Sequence, residues 1–329
     1  MSSLAPTLQA FFTDRLMAQR QASPRTIAAY RDTFRLLLAF AQQHTGKAPS
    51  RLDIDDLDAP LISAFLDHLE TDRHNTARTR NARRAAIRSL FNYAAVCHPE
   101  HAAVIQRVLA IPQKITDNKT IAFLHDDEID ALVAAPDRST WEGRRDHALI
   151  YLAVHTGLRV SELTALNCAD IHLGTGPHLI CEGKGRKQRA VPFTPTTAAA
   201  LRVWLQERQG TVSDPLFCTR TGRRLTRDAI ARRLQRHAIT AAKRCPSLTA
   251  KKLTPHVLRH TAAMQLLAAG VDVAVIALWL GHADLRSTQA YLHADLAIKE
   301  RALAKTAPAN TPPGRYRPPD KLLAFLEAL

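Results

Sequence analysis

The sequence predicts a mainly α-helical protein with a small antiparallel β-sheet, divided into an all-helical N-terminal domain and an α+β C-terminal domain. First, apolar residues recur at helical spacing between good capping residues over most of the chain. Second, two β-prone runs flank one glycine-bearing, cationic segment, a pattern typical of a hairpin. Third, 329 residues exceed the length at which one hydrophobic core usually keeps growing, so two domains are expected.

The charge balance indicates a polyanionic partner. The chain has 45 Lys+Arg against 30 Asp+Glu, a net charge of +15 and a pI near 10.1, which favours nucleic acid over a small acidic substrate. No apolar run approaches the roughly 20 residues that cross a bilayer, so no membrane partner is expected. The N-terminus lacks the charged and apolar regions of a signal peptide, and we therefore expect a cytoplasmic protein.

The cysteines predict neither a disulfide framework nor a metal site. They are odd in number and far apart, and no pair has the Cys-x-x-Cys spacing of a zinc site: Cys97, Cys168, Cys181, Cys218 and Cys245. We expect no metal and no cofactor.

The N-terminal domain, residues 1–112, is expected to contain four main helices. The first is predicted over 8–19, and Ser23-Pro24 supplies an N-cap and a first-turn proline to the second. The third is predicted over 59–72, and the fourth begins after Asn75 as its cap.

The fourth helix has an unusual distribution of charge. Its second half carries an apolar stripe, but the same stripe extended backwards meets arginines, and an arginine cannot be buried there unpaired. The segment 73–88 holds six arginines and no acidic residue. One interpretation is that the first half contacts DNA phosphates, and the other is a solvated basic face. The candidate DNA-binding residues are Arg78, Arg80, Arg83, Arg84 and Arg88.

A linker is predicted over 113–119, because a proline and a polar run separate two strongly periodic regions. The second domain, 120–306, opens with acidic residues that suit a first helical turn near 126. A buried helix is predicted over 144–156 and ends at Gly157, and the following turn places Arg159 just before a new helix. A proline-rich spacer and a short apolar helix make up 307–329.

The predicted hairpin pairs 178–181 with 189–193 around a turn that contains Gly183-Lys184-Gly185. A nucleotide-binding loop is the alternative, but the P-loop spacing with a following Ser or Thr is missing. A third strand is expected at 215–218. The helix predicted over 226–244 places Arg232 and Arg236 on a second basic surface, and two such surfaces suggest a clamp around a duplex.

The most informative stretch follows this helix. Thr254 is a good N-cap for a helix that runs to Gly270, on which His256 and Arg259 lie three residues apart on one face. A second short helix over 272–280 is closed by Gly281, and His282 and Tyr291 follow.

These residue types suit phosphodiester chemistry. Cleavage needs positive charge on the non-bridging oxygens, a nucleophile, a base and an acid for the leaving oxygen. Arg159 and Arg259 can clamp the phosphate, and Tyr291 can attack it. His256 is placed to take or relay the phenol proton, His282 to donate to a phosphate oxygen, and Lys184 to protonate the departing 5′ oxygen. No carboxylate cluster of the kind required by a two-metal nuclease is present, so a covalent phosphotyrosine is expected. The candidate catalytic residues are Arg159, Lys184, His256, Arg259, His282 and Tyr291.

Together, these motifs resemble those of the tyrosine recombinases of the phage-integrase and Xer type. The matching segments are Thr156-Gly157-Leu158-Arg159, Gly183-Lys184-Gly185, His256-Val257-Leu258-Arg259-His260, and Leu280-Gly281-His282 with Tyr291. The resemblance implies a C-shaped clamp on double-stranded DNA with an inverted-repeat site, a 3′-phosphotyrosyl intermediate and exchange through a Holliday junction.

The resemblance also implies a tetramer, either of this chain alone or with a related recombinase. In that family a C-terminal segment is donated to the adjacent protomer. An apolar stripe here fits such a segment and could dock in cis or in trans: Leu322, Phe325, Leu326 and Leu329.

Other functions remain to be weighed against recombination, whether integration or excision of a mobile element or Xer-like resolution. A non-catalytic DNA- or junction-binding protein of the same fold is disfavoured by the complete set of six residues. A relaxing enzyme of the type IB topoisomerase kind is disfavoured by the N-terminal domain and the short spacing of the last motifs.

Overall fold

The computed structural model of the chain describes residues 3–116, 121–183, 187–282, 288 and 291. It divides into two compact units, Met1–Lys119 and Thr120–Leu329. The predicted fold class is confirmed, because the described residues form helices apart from one three-stranded antiparallel sheet. None of the helices in these ranges is long and apolar enough to cross a membrane.

Apart from an isolated bridge between Ser3 and Asp53, the secondary structure described in the first unit is helical. Its helices are α1 (Leu4–Ala10), continued by a π-helical segment (Phe11–Gln19), then α2 (Pro24–Thr45), α3 (Ala59–Thr71), α4 (Ala77–Cys97) and α5 (Ala102–Ala110). Short 3-10 turns lie at Pro49–Arg51, Ile54–Asp56 and Pro99–His101.

The caps of α2 and α4 show how local chemistry starts these helices. Ser23 caps α2 by accepting a hydrogen bond from the backbone N–H of Thr26, as predicted. The predicted cap of α4 is wrong by one residue, since the hydroxyl of Thr76, not the side chain of Asn75, accepts from the backbone N–H of Thr79. The apolar faces of these helices meet in one core, which includes Phe11, Phe34, Phe65 and Phe91.

The second unit contains seven helices among its described residues and all three strands. The helices are α6 (Asp126–Ala134), α7 (Trp141–Thr156), α8 (Val160–Ala165), α9 (Pro195–Arg208), α10 (Arg227–Ala242), α11 (Pro255–Ala268) and α12 (Val273–Leu280). The strands are β1 (Ile171–His172), β2 (His178–Glu182) and β3 (Gln188–Pro192), and 3-10 turns lie at Cys168–Asp170 and Pro246–Ala250.

The sheet has the order β1-β2-β3, and the predicted hairpin forms its β2–β3 part. Leu179 lies opposite Val191 and Cys181 opposite Arg189, so the buried side of β2 faces the core of this unit. The predicted third strand at 215–218 is wrong, because Pro215 and Cys218 form only isolated bridges. Proline lacks the N–H that a ladder needs, and the carbonyl of Leu216 accepts instead from the indole N–H of Trp204 on α9.

Candidate active site

The ends of α7 and α12 meet where the motifs predicted to be catalytic converge in space. Gly157 ends α7 with a left-handed φ of 63°. A Cβ at Gly157 would lie 2.7 Å from the end of the Leu280 side chain and 3.0 Å from the Cβ of Ala262, and the positive φ also favours glycine here. The indole N–H of Trp279 donates to the carbonyl of Thr156 at 3.1 Å and fixes the two helix ends together.

Two guanidiniums bind the carbonyl groups that these helix ends leave free. Arg259 on α11 is 4% exposed and donates to the carbonyls of Gly157 at 2.7 Å and Leu280 at 2.6 Å. Arg159, the N-cap residue of α8, donates to the carbonyls of Leu280 at 3.4 Å and Gly281 at 2.9 Å. The C-terminal ends of helices carry partial negative charge, so cations are stabilised there. Arg159 and Arg259, predicted from separate motifs, therefore lie side by side.

A carboxylate that the sequence analysis did not select links these groups. Glu162 on α8 is 3% exposed and accepts from the backbone N–H of Arg159 at 2.8 Å and from its guanidinium at 2.9 Å. It also accepts two hydrogen bonds from Arg189 on β3, at 3.0 and 2.9 Å. A glutamate three residues after an N-cap is the sequence signal that could have identified Glu162.

Arg189 joins the hairpin to the end of α12. Besides its bonds to Glu162, it donates to the carbonyl of Trp279 at 3.0 Å. A Cβ at Gly281 would lie 2.8 Å from the Arg189 guanidinium, and a Cβ at Gly183 would lie 3.2 Å from it. Arg189 is thus packed between the residue before His282 and the residue before Lys184.

The charges of this network are set by burial and by pairing. Burial, with Arg159 beside it, lowers the pKa of Arg259 to about 10, so its guanidinium stays protonated at neutral pH. Burial opposes the negative charge of Glu162, but hydrogen bonds from Arg189 and Arg159 outweigh it and lower the pKa of this carboxyl. Burial likewise opposes the charge of Arg189, yet pairing with Glu162 raises its pKa. The site therefore holds fixed positive charge at neutral pH.

The candidate nucleophile lies in this field of positive charge. Tyr291 is 3% exposed, and its Oη lies 3.0 Å from Nδ1 of His260 on α11. Burial raises the pKa of Tyr291, while Arg259 and Arg159 act in the opposite direction. The phenol is therefore protonated at neutral pH, close to two guanidiniums that favour its ionisation.

The position of His256 differs from the expectation. His256 is exposed, and its ring lies 6.3 Å from the ring of His260. We expected His256 to receive the proton of Tyr291, but the imidazole in contact with this hydroxyl is that of His260, one helical turn further along α11. The second histidine of the motif His256-Val257-Leu258-Arg259-His260 is the sequence signal for this contact.

His282 follows Gly281 at the end of α12, as predicted. Its Nδ1 lies 2.7 Å from the hydroxyl of Thr288, and its ring stacks 6.5 Å from that of Tyr291. Burial, followed by Arg259 and Arg159, lowers the pKa of His282 to about 4. Lys184 and the C-terminal stripe of Leu322, Phe325, Leu326 and Leu329 lie outside the described residues. On either side of residues 184–186, the N–H of Gly183 donates to the carbonyl of Lys187 at 2.8 Å.

The arginines of α4 do not all face outward, contrary to our expectation. Arg78 and Arg88 are exposed, although Arg88 also donates to the carbonyl of Leu109. Arg80 is 5% exposed, with its Nε 3.4 Å from the carboxylate of Glu70 on α3. This neighbouring helix supplies the pairing that the sequence pattern did not show.

Two further arginines of α4 are partly buried against their own unit. Arg83 donates to Thr33 at 3.3 Å, and Arg84 donates to the carbonyl of Ile111. On α10 of the second unit, Arg232 and Arg236 are both exposed, as predicted.

Family comparison agrees with this geometry. Residues 122–297 match the phage integrase family, and residues 10–96 match the phage integrase N-terminal SAM-like domain. The chain belongs to the phage integrase family. The resemblance inferred from the sequence motifs is therefore confirmed.

Similar proteins carry names that agree with this assignment. A putative integrase/recombinase of Sinorhizobium fredii is 55% identical, covering 100% of this chain and 99% of its own. The tyrosine recombinase XerC of Pelobacter propionicus is 33% identical, covering 95% of this chain and 99% of its own.

Solved structures show the same fold. XerH recombinase bound to a palindromic difH substrate superposes with a TM-score of 0.69 at 25% identity, covering 87% of this chain and 81% of its own. A lambda integrase dimer bound to a core site superposes with a TM-score of 0.65 at 18% identity, covering 89% of this chain and 96% of its own. The family member described here is a tyrosine-type site-specific DNA recombinase.

Proposed function

We propose that this recombinase cuts and rejoins double-stranded DNA at an inverted-repeat site through a 3′-phosphotyrosyl bond to Tyr291. The observation that carries the proposal is the placement of the buried Tyr291 hydroxyl beside His260, in the field of Arg159 and Arg259. A phenol in such a setting can attack a phosphate whose charge the guanidiniums balance.

The two arginines are suited to bind the scissile phosphate. Guanidiniums stay charged and match phosphate oxygens with paired N–H groups. Each arginine uses only part of its set of five N–H donors on carbonyls and Glu162, so donors remain for phosphate oxygens. The carbonyls and Glu162 fix both guanidiniums before DNA arrives, which reduces the reorganisation that the reaction needs.

Proton transfers complete the reaction. As the Tyr291 oxygen bonds to phosphorus, the bond to the 5′ oxygen breaks, and Lys184 gives this leaving oxygen a proton. His282 is proposed to donate to a phosphate oxygen. His256, which the sequence places to take or relay the phenol proton, is exposed here and is proposed to bind a phosphate oxygen. Rejoining reverses these steps when a 5′ hydroxyl attacks the phosphotyrosine and releases Tyr291. The bond energy is retained, so no cofactor is required.

Basic surfaces on both units are proposed to hold the duplex from two sides, as a clamp. The candidates are Arg78, Arg83, Arg84 and Arg88 on α4, with Arg80 behind them, and Arg232 and Arg236 on α10. The acting form on DNA is proposed to be a tetramer of this chain, or of this chain with a related recombinase, joined through the apolar C-terminal segment. The similar structures support a DNA partner and assembly on DNA, since XerH is bound to a palindromic difH substrate and lambda integrase is a dimer bound to a core site.

Covalent capture tests the chemistry directly. Wild-type protein and the Tyr291→Phe variant are incubated with fragmented bacterial DNA, protein-linked fragments are isolated under denaturing conditions, and their ends are sequenced. We expect adducts from the wild type, concentrated at inverted repeats, and none from Tyr291→Phe, since phenylalanine has no nucleophilic oxygen. Tyr151→Phe on α7 is the matched control and should still form adducts.

Two other outcomes would change the assignment. Adducts scattered without sequence preference would favour a relaxing topoisomerase. Adducts from Tyr291→Phe would remove Tyr291 as the nucleophile.

A further inference from the structure

One side chain in the site contacts the nucleophile directly and is not among the six residues selected from the sequence. His260 is half-buried on α11, and its Nδ1 lies 3.0 Å from Oη of Tyr291. The two rings meet edge-on, with their centroids 5.5 Å apart and an interplanar angle of 62°. This arrangement directs the ring nitrogen at the hydroxyl and away from the face of the phenol ring.

We propose that His260 is a catalytic residue that holds the Tyr291 hydroxyl and accepts its proton as the oxygen attacks phosphorus. The proposal rests on Tyr291 being the nucleophile. Among the described residues, His260 is the imidazole with a nitrogen in hydrogen-bonding range of the hydroxyl, since His256 is exposed and Nδ1 of His282 is bonded to Thr288.

The groups around His260 set its protonation state. The titratable and charged groups that face it are His256 and Arg259 on its own helix, His282 after α12, and Tyr291 itself. Burial, followed by His256 and Arg259, lowers the pKa of His260 to about 4, so the imidazole is neutral at pH 7. A neutral imidazole has one acceptor nitrogen. The other nitrogen of a neutral imidazole is a donor, so the proposal requires the tautomer with its proton on Nε2, in which Nδ1 accepts from the phenol O–H.

In this proposal, bound DNA raises the pKa of His260, which is the change that proton acceptance needs. A scissile phosphate between Arg159 and Arg259 brings negative charge next to the cation that opposes protonation of His260. A nearby anion favours the charged imidazolium and raises its pKa. Phosphate binding thus makes His260 a better base at the moment when Tyr291 must lose its proton.

The proton balance closes over one cycle. In cleavage, the bond from Oη to phosphorus forms, the bond from phosphorus to the 5′ oxygen breaks, and the Oη proton moves to Nδ1 of His260. The leaving oxygen takes its proton from a different acid, proposed above to be Lys184. In rejoining, His260 returns its proton to the Tyr291 oxygen as that oxygen leaves phosphorus.

Single-turnover cleavage of a nicked suicide duplex, carrying the site found by covalent capture, tests the assignment. His260→Phe keeps a ring but removes both nitrogens, and His260→Asn keeps an acceptor near the place of Nδ1 but cannot take a proton at neutral pH. We expect both variants to bind the duplex normally and to cleave about 10²–10⁴-fold more slowly at pH 7. The exposed His172 on β1 provides the matched control, and His172→Phe should cleave at the wild-type rate.

The pH profile separates proton acceptance from support of the fold. The wild-type rate should fall as pH falls through the pKa of His260 in the DNA complex, because protonation removes the acceptor. In both variants the cleavage rate should no longer follow the pKa of His260. Their rates should instead keep rising towards high pH. A 5′-bridging sulfur, which replaces the poor leaving oxygen, should restore Lys184→Ala but not His260→Asn.

The possible failures are distinguishable. If wild type and His172→Phe form no adduct, the proposed function fails. If both form adducts and His260→Asn cleaves as fast with the same pH limb, His260 is not the acceptor. Loss of the limb in His256→Phe alone would transfer the role to His256.

Discussion

At the scale of single residues, the carboxylate of Glu162 fixes the geometry of the reaction centre. It is buried, and it accepts hydrogen bonds from two arginines and one backbone N–H. A buried charge is stable only while paired, so removing it leaves Arg159 and Arg189 with uncompensated positive charge. The same residue therefore supports the fold and the phosphate-binding arginine.

Glu162→Gln should reduce both stability and cleavage. The amide has the size of the carboxylate but no charge, and breaking a buried pair costs about 3–5 kcal/mol. We expect Glu162→Gln to unfold at a lower urea concentration than the wild type. Without denaturant, it should still bind DNA but cleave it more slowly.

Glu142→Gln is the matched control for this change. Glu142 is a partly exposed carboxylate paired with the exposed Arg220, so its removal should leave the urea midpoint nearly unchanged. Equal midpoints for Glu162→Gln and Glu142→Gln would contradict the role assigned to Glu162.

At the scale of elements, the sequence predicted those parts of the site whose signals are local. Thr254 and Pro255 predict the start of α11, Asp272 and Gly281 bound α12, and the glycine-bearing turn predicts the β2–β3 hairpin. These signals depend on nearby backbone hydrogen bonds, which a linear pattern contains.

Elements and contacts that depend on distant partners could not be predicted in this way. The chain at 215–218 has strand-like composition, but its backbone is used by Trp204 and by the carbonyl of Leu166. The choice of His260 over His256 as the partner of Tyr291 likewise depends on where residue 291 returns to α11. A periodic pattern assigns both histidines to one helix and cannot say which one the phenol reaches.

The attachment of the hairpin gives a prediction at this scale. Arg189→Lys keeps a positive charge but cannot reach Glu162 and the carbonyl of Trp279 together, because only the guanidinium has a fork of donors. We expect the turn that carries Lys184 to be held less firmly and cleavage to slow by about 10²-fold. A 5′-bridging sulfur should recover part of this loss, as it should for Lys184→Ala.

Arg220→Lys, which changes a surface pair on the same unit, is the control for Arg189→Lys. Cleavage by Arg189→Lys at the wild-type rate would show that the hairpin does not depend on this anchor. Slow cleavage without any recovery by sulfur would mean that Arg189 acts through Glu162 and Arg159 alone.

At the scale of the whole molecule, the sequence identified two basic regions but not the orientation of each arginine. Arg80 lies in the same basic run as Arg78, yet the structure buries it beside Glu70, which belongs to another helix. The guanidinium of Arg84 donates to the carbonyl of Ile111, the residue that follows α5. Net charge is readable from composition, but the accessible share of that charge depends on tertiary pairing.

This difference gives opposite predictions for buried and exposed arginines. Each phosphate contact releases condensed counterions, so the logarithm of the DNA binding constant should fall linearly with the logarithm of salt concentration. Replacing exposed Arg232 and Arg236 by alanine should reduce that slope by about 2, roughly 1 for each lost contact, and weaken binding to all sequences alike. Arg80→Met should leave the slope unchanged and instead lower the melting temperature, because Glu70 loses its buried partner and keeps the exposed Lys114. Titrations of a labelled duplex at several salt concentrations measure the slopes.

An unchanged slope in the double variant would place the duplex away from α10. A smaller slope in Arg80→Met would mean that DNA draws Arg80 out of its pair.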